Sequence, residues 1–244
     1  MSWTGIRSKL EDLIKIKHLP KIVYVKQPFL YAAIRLNDLD VVKHLVATKP
    51  DNINIALTKS GSTPLHVSAL TGSEEICHFL LQNGANVNAC DVDGFTPLFF
   101  IYDEDKVEIA RILIQNGANI SAQVDTKGWT LLHYAAFDNL PEITKVLLEN
   151  GAEVDAADSN GTTPLHISTG KGNTEVAKML MQNGANVNAL TNDGFCPLRI
   201  AAQENHVAIA ESLIRHGADT EIGSVISQTP LLEAAHGNLC EGFG

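Results

Sequence analysis

Apolar residues along this chain return in short bursts with helical spacing. In "EEICHFLLQNG", residues 74 to 84, Ile76, Phe79 and Leu80 fall at i, i+3 and i+4, on one face of an amphipathic helix. A glycine closes each such stretch, at Gly84, Gly117, Gly151, Gly184 and Gly217, where a helix C-terminus needs a left-handed residue. A second, shorter stretch is opened by proline at Pro64, Pro97, Pro164, Pro197 and Pro230. Proline suits the first helical turn, where a missing N–H costs nothing, and the Thr that usually precedes it can cap that turn through its hydroxyl. Turns near Gly72 and Gly172 separate the two stretches, and "DVDG", "DSNG" and "TNDG" carry the chemistry of hairpin tips. The pattern predicts pairs of antiparallel helices with projecting loops, each pair burying its apolar face against a neighbour.

These pairs keep a fixed period. T-P-L-H stands at Thr63 to His66 and at Thr163 to His166, with "TPLF" from Thr96, "TLLH" from Thr130, "CPLR" from Cys196 and "TPLL" from Thr229. Successive starts lie 33, 34, 33, 33 and 33 residues apart. "NGAN" at Asn83, Asn116 and Asn183, "NGAE" at Asn150 and "HGAD" at His216 keep the same beat. The chain thereby resembles the ankyrin-repeat family, whose period is 33 and whose signature is T-P-L-H-x-A. The fold expected is all-α, an ankyrin-repeat solenoid of stacked helix-turn-helix units with projecting hairpin loops. The resemblance covers residues 28–244, about seven repeats, with a divergent first copy in "PFLYAAIRLNDLDVVKHLV" and an incomplete last one. Residues 1–27 form the remainder, an N-terminal capping helix and linker.

Both ends depart from the repeat. Ser8 and Glu11 make an S-x-x-E capping box for a helix through Leu10, Leu13 and Ile14, stopped by Pro20. That helix reads as a cap on the first repeat; a basic amphipathic element for a membrane surface or an acidic partner is the other reading. "TPLLEAAHGNLCEGFG" begins a further unit and stops where its second helix should form, so a longer natural chain is expected.

Charge and cysteines narrow the function. The net charge is −10, and residues 1–27 hold six basic and two acidic residues, which leaves −14 on the rest. An acidic body repels phosphate backbones, so nucleic acid is not an expected partner. No apolar run reaches the ~18 residues of a membrane span, and Lys15 and Lys17 interrupt the N-terminal apolar residues as a signal peptide would not allow. A cytoplasmic location is expected, or a host cytosol for a chain from an intracellular bacterium or virus. Cys77, Cys90, Cys196 and Cys240 show neither C-x-x-C nor zinc spacing, so reduced thiols are expected and no metal.

No catalytic constellation stands out. G-x-S-x-G, a phosphate-cradling loop and H-E-x-x-H are missing, and Asp91 and Asp93 lack the rest of a calcium loop. The ankyrin resemblance assigns His66, His133 and His166 to structure, as imidazoles that tie loop and helix backbones together. Neither an enzyme nor a cofactor is therefore expected. "GANVNA" at Asn88 and Asn188 matches the context of asparagine hydroxylation in eukaryotic ankyrin proteins.

The resemblance implies a protein-protein interaction module whose concave face combines loop tips with the exposed ends of the first helices. On this chain the tips include Phe95, Lys127, Trp129 and Phe195, and the helix ends include Asp103, Glu104, Phe137, Asp138 and Lys171. Phe95, Trp129 and Phe137 are read as one aromatic patch rimmed by Asp103, Glu104 and Asp138, the makeup of an interface hot spot. Phe95 and Trp129 also have a packing reading, since an aromatic before the Thr can lie against the neighbouring loop. Phe99 and Tyr102 replace a His and a small residue, so they read as packing, while Phe100 fits either role. The acidic body implies a monomer that binds a partner with basic and apolar contact residues. The alternative is a scaffold or targeting segment of a larger protein whose activity lies beyond Gly244.

Overall fold

The computed structural model describes residues 27–101, 103–124 and 127–222. The expected N-terminal cap, Tyr102 and the seventh repeat from Thr229 lie outside them. Eleven α-helices run through the described residues, with no strand and a single isolated bridge, Val124 to Trp129.

The chain divides into two compact units, Met1–Asn119 and Ile120–Gly244. In the first, α1 (Pro28–Arg35), α2 (Leu39–Thr48), α3 (Pro64–Thr71), α4 (Glu74–Gln82) and α5 (Val107–Gln115) follow in order. The first helices α1 and α3 pack side by side, and the second helices α2, α4 and α5 form a row behind them. The second unit repeats the scheme with α6 (Leu131–Asp138), α7 (Pro141–Glu149), α8 (Pro164–Lys171), α9 (Thr174–Gln182), α10 (Pro197–Gln203) and α11 (Val207–Arg215). There α6, α8 and α10 make the front row and α7, α9 and α11 the back row. The core of each unit lies between its rows, built from Leu65, Ile76 and Leu80 in one and Leu147, Leu165 and Leu180 in the other, all fully buried.

Each signature residue has a visible task. Thr63 is extended (φ −82°, ψ 171°), and its N–H donates to His66 Nδ1 at 3.1 Å while its hydroxyl lies 2.8 Å from the same nitrogen. A backbone N–H can only donate, so Nδ1 accepts and the proton of the ring sits on Nε2. That nitrogen donates to the carbonyl of Phe95, 3.0 Å away in the next repeat. His133 reaches Thr162 O at 3.1 Å, and His166 reaches Phe195 O at 3.0 Å and Ala189 O at 3.1 Å, by the same geometry. At the back-row ends the glycines are left-handed; after α4, Gly84 at φ +88° lets Ala85 N–H reach Leu80 O at 2.9 Å, closing the orphan carbonyls.

The third repeat breaks the expectation of two helices per unit. Its first helix is two short 3-10 turns, Pro97–Phe100 and Glu104–Lys106. Elsewhere the middle of this helix carries small residues of near-zero exposure: Ser68 and Ala69, Ala135 and Ala136, Ser168 and Thr169. Ile101 and Tyr102 stand at those positions in the third repeat, too large for an α-helix packed that closely. Phe99 in place of His also leaves the buried Thr96 hydroxyl without a hydrogen-bond partner among the described residues.

A second set of ties runs along the loops. Asn54 donates to Gly84 O at 3.1 Å and accepts from Asn86 N–H at 2.8 Å. Asn88 repeats this with Gly117 O at 3.0 Å and Asn119 N–H at 2.8 Å, and Asn188 with Gly217 O at 3.2 Å and Asp219 N–H at 2.8 Å. The asparagines flagged in "GANVNA" thus cross-link successive loops. Asn88→Ala is expected to cost about 1 kcal/mol in a denaturant melt, since both bonds are partly solvated. Asn88→Asp keeps the acceptor but turns a carboxylate oxygen on the Gly117 carbonyl, so it is expected to cost at least as much.

Candidate protein-binding surface

The expected tip residues are held by their backbones. Asp91 Oδ1 accepts from Asp93 N–H at 3.0 Å and Phe95 N–H at 2.9 Å, and Asp158 Oδ1 accepts from Asn160 and Thr162 N–H, both at 2.8 Å. These Asx turns set where the following aromatic points. Trp129 is placed differently, by reciprocal bonds with Val124 at 2.9 and 3.2 Å.

In the first unit the aromatic tip is packing. The Phe95 ring meets Phe99 edge-on with centroids 5.8 Å apart, and Phe99 is buried. Phe100, which the sequence left open, packs edge-on against His66 at 5.2 Å. Asp103 pairs with the largely buried Lys106, and Glu104 is half-buried.

In the second unit Trp129 and Phe137 come together. Their ring centroids are 5.7 Å apart, and Tyr134 adds an edge contact to Trp129 at 5.1 Å. The indole N–H donates to Asp158 Oδ2 at 3.1 Å, which fixes the face that Trp129 presents. Asn173 holds the end of α6 beneath Phe137 by donating to Ala136 O at 2.8 Å and Phe137 O at 3.3 Å. Phe137 is 41% exposed, more than any other aromatic ring among the described residues. Asp138 beside it is exposed as well.

Cations cover these rings. Lys171 Nζ lies 4.1 Å from the Phe137 centroid, and Lys127 Nζ lies 5.3 Å from that of Trp129. Both lysines are exposed. Lys171 and Tyr134 are additions to the expected patch. Gly170, 33 residues after Phe137 and at the same place in its repeat, has no side chain to cover that ring. Phe195 belongs elsewhere: the buried Arg199 guanidinium lies 4.2 Å over its ring, and its carbonyl takes the His166 bond. Burial tends to raise the Asp158 carboxyl, but hydrogen bonds from Thr162, Asn160 and the Trp129 indole outweigh it and hold the pKa below the ordinary carboxylate value. Asp158 is therefore an anion committed to its own loop.

Among the described residues no His, Cys, Asp and Glu gather as a metal would require, and no helix is long and apolar enough to cross a membrane.

The profile described as ankyrin repeats (3 copies) matches residues 29–124, 87–158 and 132–224. The chain is similar to the palmitoyltransferase akr1 of Schizosaccharomyces pombe, 41% identical over 26% of this chain and 10% of that protein. It spans between 3% and 50% of the length of such curated relatives. In structure it is similar to the ankyrin repeat domain of Bcl-3, a member of the IkappaB protein family, at 28% identity and a TM-score of 0.78, covering 84% of this chain and 92% of that one. The human ASB11 ankyrin repeat domain gives 27% identity and a TM-score of 0.72 over 84% and 90%. Ankyrin-repeat domains are generally non-catalytic modules that bind other proteins. With T-P-L-H histidines bridging successive repeats and family matches that run through most of its length, the chain belongs to the ankyrin-repeat family.

Proposed function

We propose that this chain is a protein-binding ankyrin module, working in a cytosol-like compartment, whose recognition surface in the second unit centres on Trp129 and Phe137. The supporting observation is Phe137, a large ring left 41% exposed beside a tryptophan whose orientation is fixed by Asp158. Pre-oriented aromatics of this kind dominate binding energy in most interfaces, because little side-chain entropy remains to be lost. The first unit contributes less on this reading, since Phe95 is engaged with Phe99 and Asp103 with Lys106. The expectation of a partner bearing basic and apolar residues keeps its apolar half here. Its basic half rests on the net charge of −10.

The test is affinity capture with the parent chain and a Trp129→Ala, Phe137→Ala variant, after circular dichroism has shown that the variant folds. Each ring is expected to supply about 2 kcal/mol, so the double variant should lose partners at least thirtyfold. Equal capture by both proteins sinks the assignment to this surface.

A second reading has support in the comparisons. The relative from Schizosaccharomyces pombe is a palmitoyltransferase of which the matched segment is 10%. A larger protein that uses this segment to bring a partner to an activity elsewhere would place the same surface in the service of that activity.

A further inference from the structure

We propose that the Trp129–Phe137 face receives an acidic segment of a partner protein, whose carboxylates meet Lys127 and Lys171 while an apolar side chain lies against the rings. The proposal rests on the protein-binding reading of this face and assigns the chemistry of what it binds.

Net charge points the other way, toward a basic partner, but net charge acts at a distance. In physiological salt such fields fade over roughly 8 Å, so the groups within contact decide the pairing. At this face those groups are two exposed ammonium ions, 4.1 Å above Phe137 and 5.3 Å from the Trp129 centroid. An ammonium over a ring keeps its charge and its remaining N–H donors, because the ring offers a quadrupole and no proton acceptor comparable to a carboxylate. The rings also hold the lysines in place, which removes part of the side-chain ordering that binding otherwise costs.

The acids nearby divide cleanly. Asp158 already accepts from Asn160 N–H, Thr162 N–H and the Trp129 indole, and it is half-buried in its own turn. Asp138 is exposed next to Phe137 and repels an acidic ligand. It therefore supplies a sign test. A basic segment would be held by Asp138, and an acidic one is opposed by it.

The experiment selects from a library of random dodecapeptides displayed on phage, using the full chain as bait. Enriched peptides are then synthesised and titrated by fluorescence anisotropy against the parent and three folded variants. Peptides rich in Asp and Glu around an aromatic or aliphatic residue are expected. Lys127→Gln with Lys171→Gln should weaken them at least tenfold, and Asp138→Asn should tighten them two- to fivefold. The proposal is overturned by enrichment of Lys- and Arg-rich peptides, by tighter binding to the double lysine variant, or by the absence of any enriched peptide. Peptides lost with Trp129→Ala and Phe137→Ala but indifferent to the lysines would retire the acidic partner and leave the binding face standing. Peptides that bind every variant equally would retire both.

Discussion

Replacing His166 by leucine is expected to lower the stability of the second unit by about 2–4 kcal/mol at pH 7.5. The size follows from what the imidazole satisfies. Its Nδ1 faces the Thr163 N–H at 3.1 Å and hydroxyl at 2.8 Å, and its Nε2 faces the carbonyls of Ala189 and Phe195 in the following repeat. Leucine fills the volume but leaves buried polar groups unpaired, and an unpaired buried group costs more than a hydrogen bond contributes. The third repeat shows a natural form of this change: Phe99 occupies the His position, and the buried Thr96 hydroxyl has lost its partner among the described residues.

The same substitution has a pH signature. Burial pushes the His166 pKa below its ordinary value, against the opposing pull of the Phe195 and Ala189 carbonyls and of Asp158 and Asp155. His66 is lowered in the same way, by burial first and against the Phe95 carbonyl. A proton would have to enter at Nδ1, where two donors already point. The unfolded chain therefore binds protons before the folded one does, and stability falls as pH drops below the ordinary histidine value of about 6.5. Melting temperatures between pH 7.5 and 5.5 should drop for the parent and drop less for His166→Leu. Parallel pH slopes would mean that His166 is not one of the groups titrating.

The difference between the third repeat and its neighbours marks how far the sequence could be read. Thr, Pro, His and the closing glycines announce the helices because each acts within one or two turns of its own position, as the Thr63–His66 box and Gly84 show. The failure of an α-helix at Pro97–Phe100 was present in the letters too, as Ile101 and Tyr102 where other repeats have Ser, Ala or Thr. Its meaning depended on how tightly that helix is packed, which is a tertiary fact. The surface was less legible still. Trp129 and Phe137 were recognisable as neighbours because they lie on one repeat. Lys171 comes from the next repeat and covers Phe137 only because of how the two stack; its i+34 spacing carries no sign of that. Phe95 and Phe195 occupy the same repeat position as Trp129, yet Phe99 and Arg199 engage their rings. Equivalent positions in the repeat thus have different exposures, and the deciding residue lies one helical turn further along.

Truncating Leu165 to alanine should produce the other large effect, a loss of about 2–5 kcal/mol. Leu165 is fully buried on α8, which packs against α6, α9 and α10. The cavity would open where a front-row helix meets both neighbours of its row, so little collapse is available to fill it. Leu190→Ala is the control: that side chain is 50% exposed, and its loss should stay within about 0.5 kcal/mol. Where the loss is felt matters as much as its size. Repeats bury their faces only against adjacent repeats, so stability in such an array is a sum of local and nearest-neighbour terms. Hydrogen exchange should accordingly lose protection first in α8 and in α6, α9 and α10, with α11 affected less because α9 and α10 stand between it and the cavity. An equal loss across α6 to α11 would mean that the second unit opens as a single block, in which case the His166 bonds to Ala189 and Phe195 couple its repeats more strongly than packing alone would.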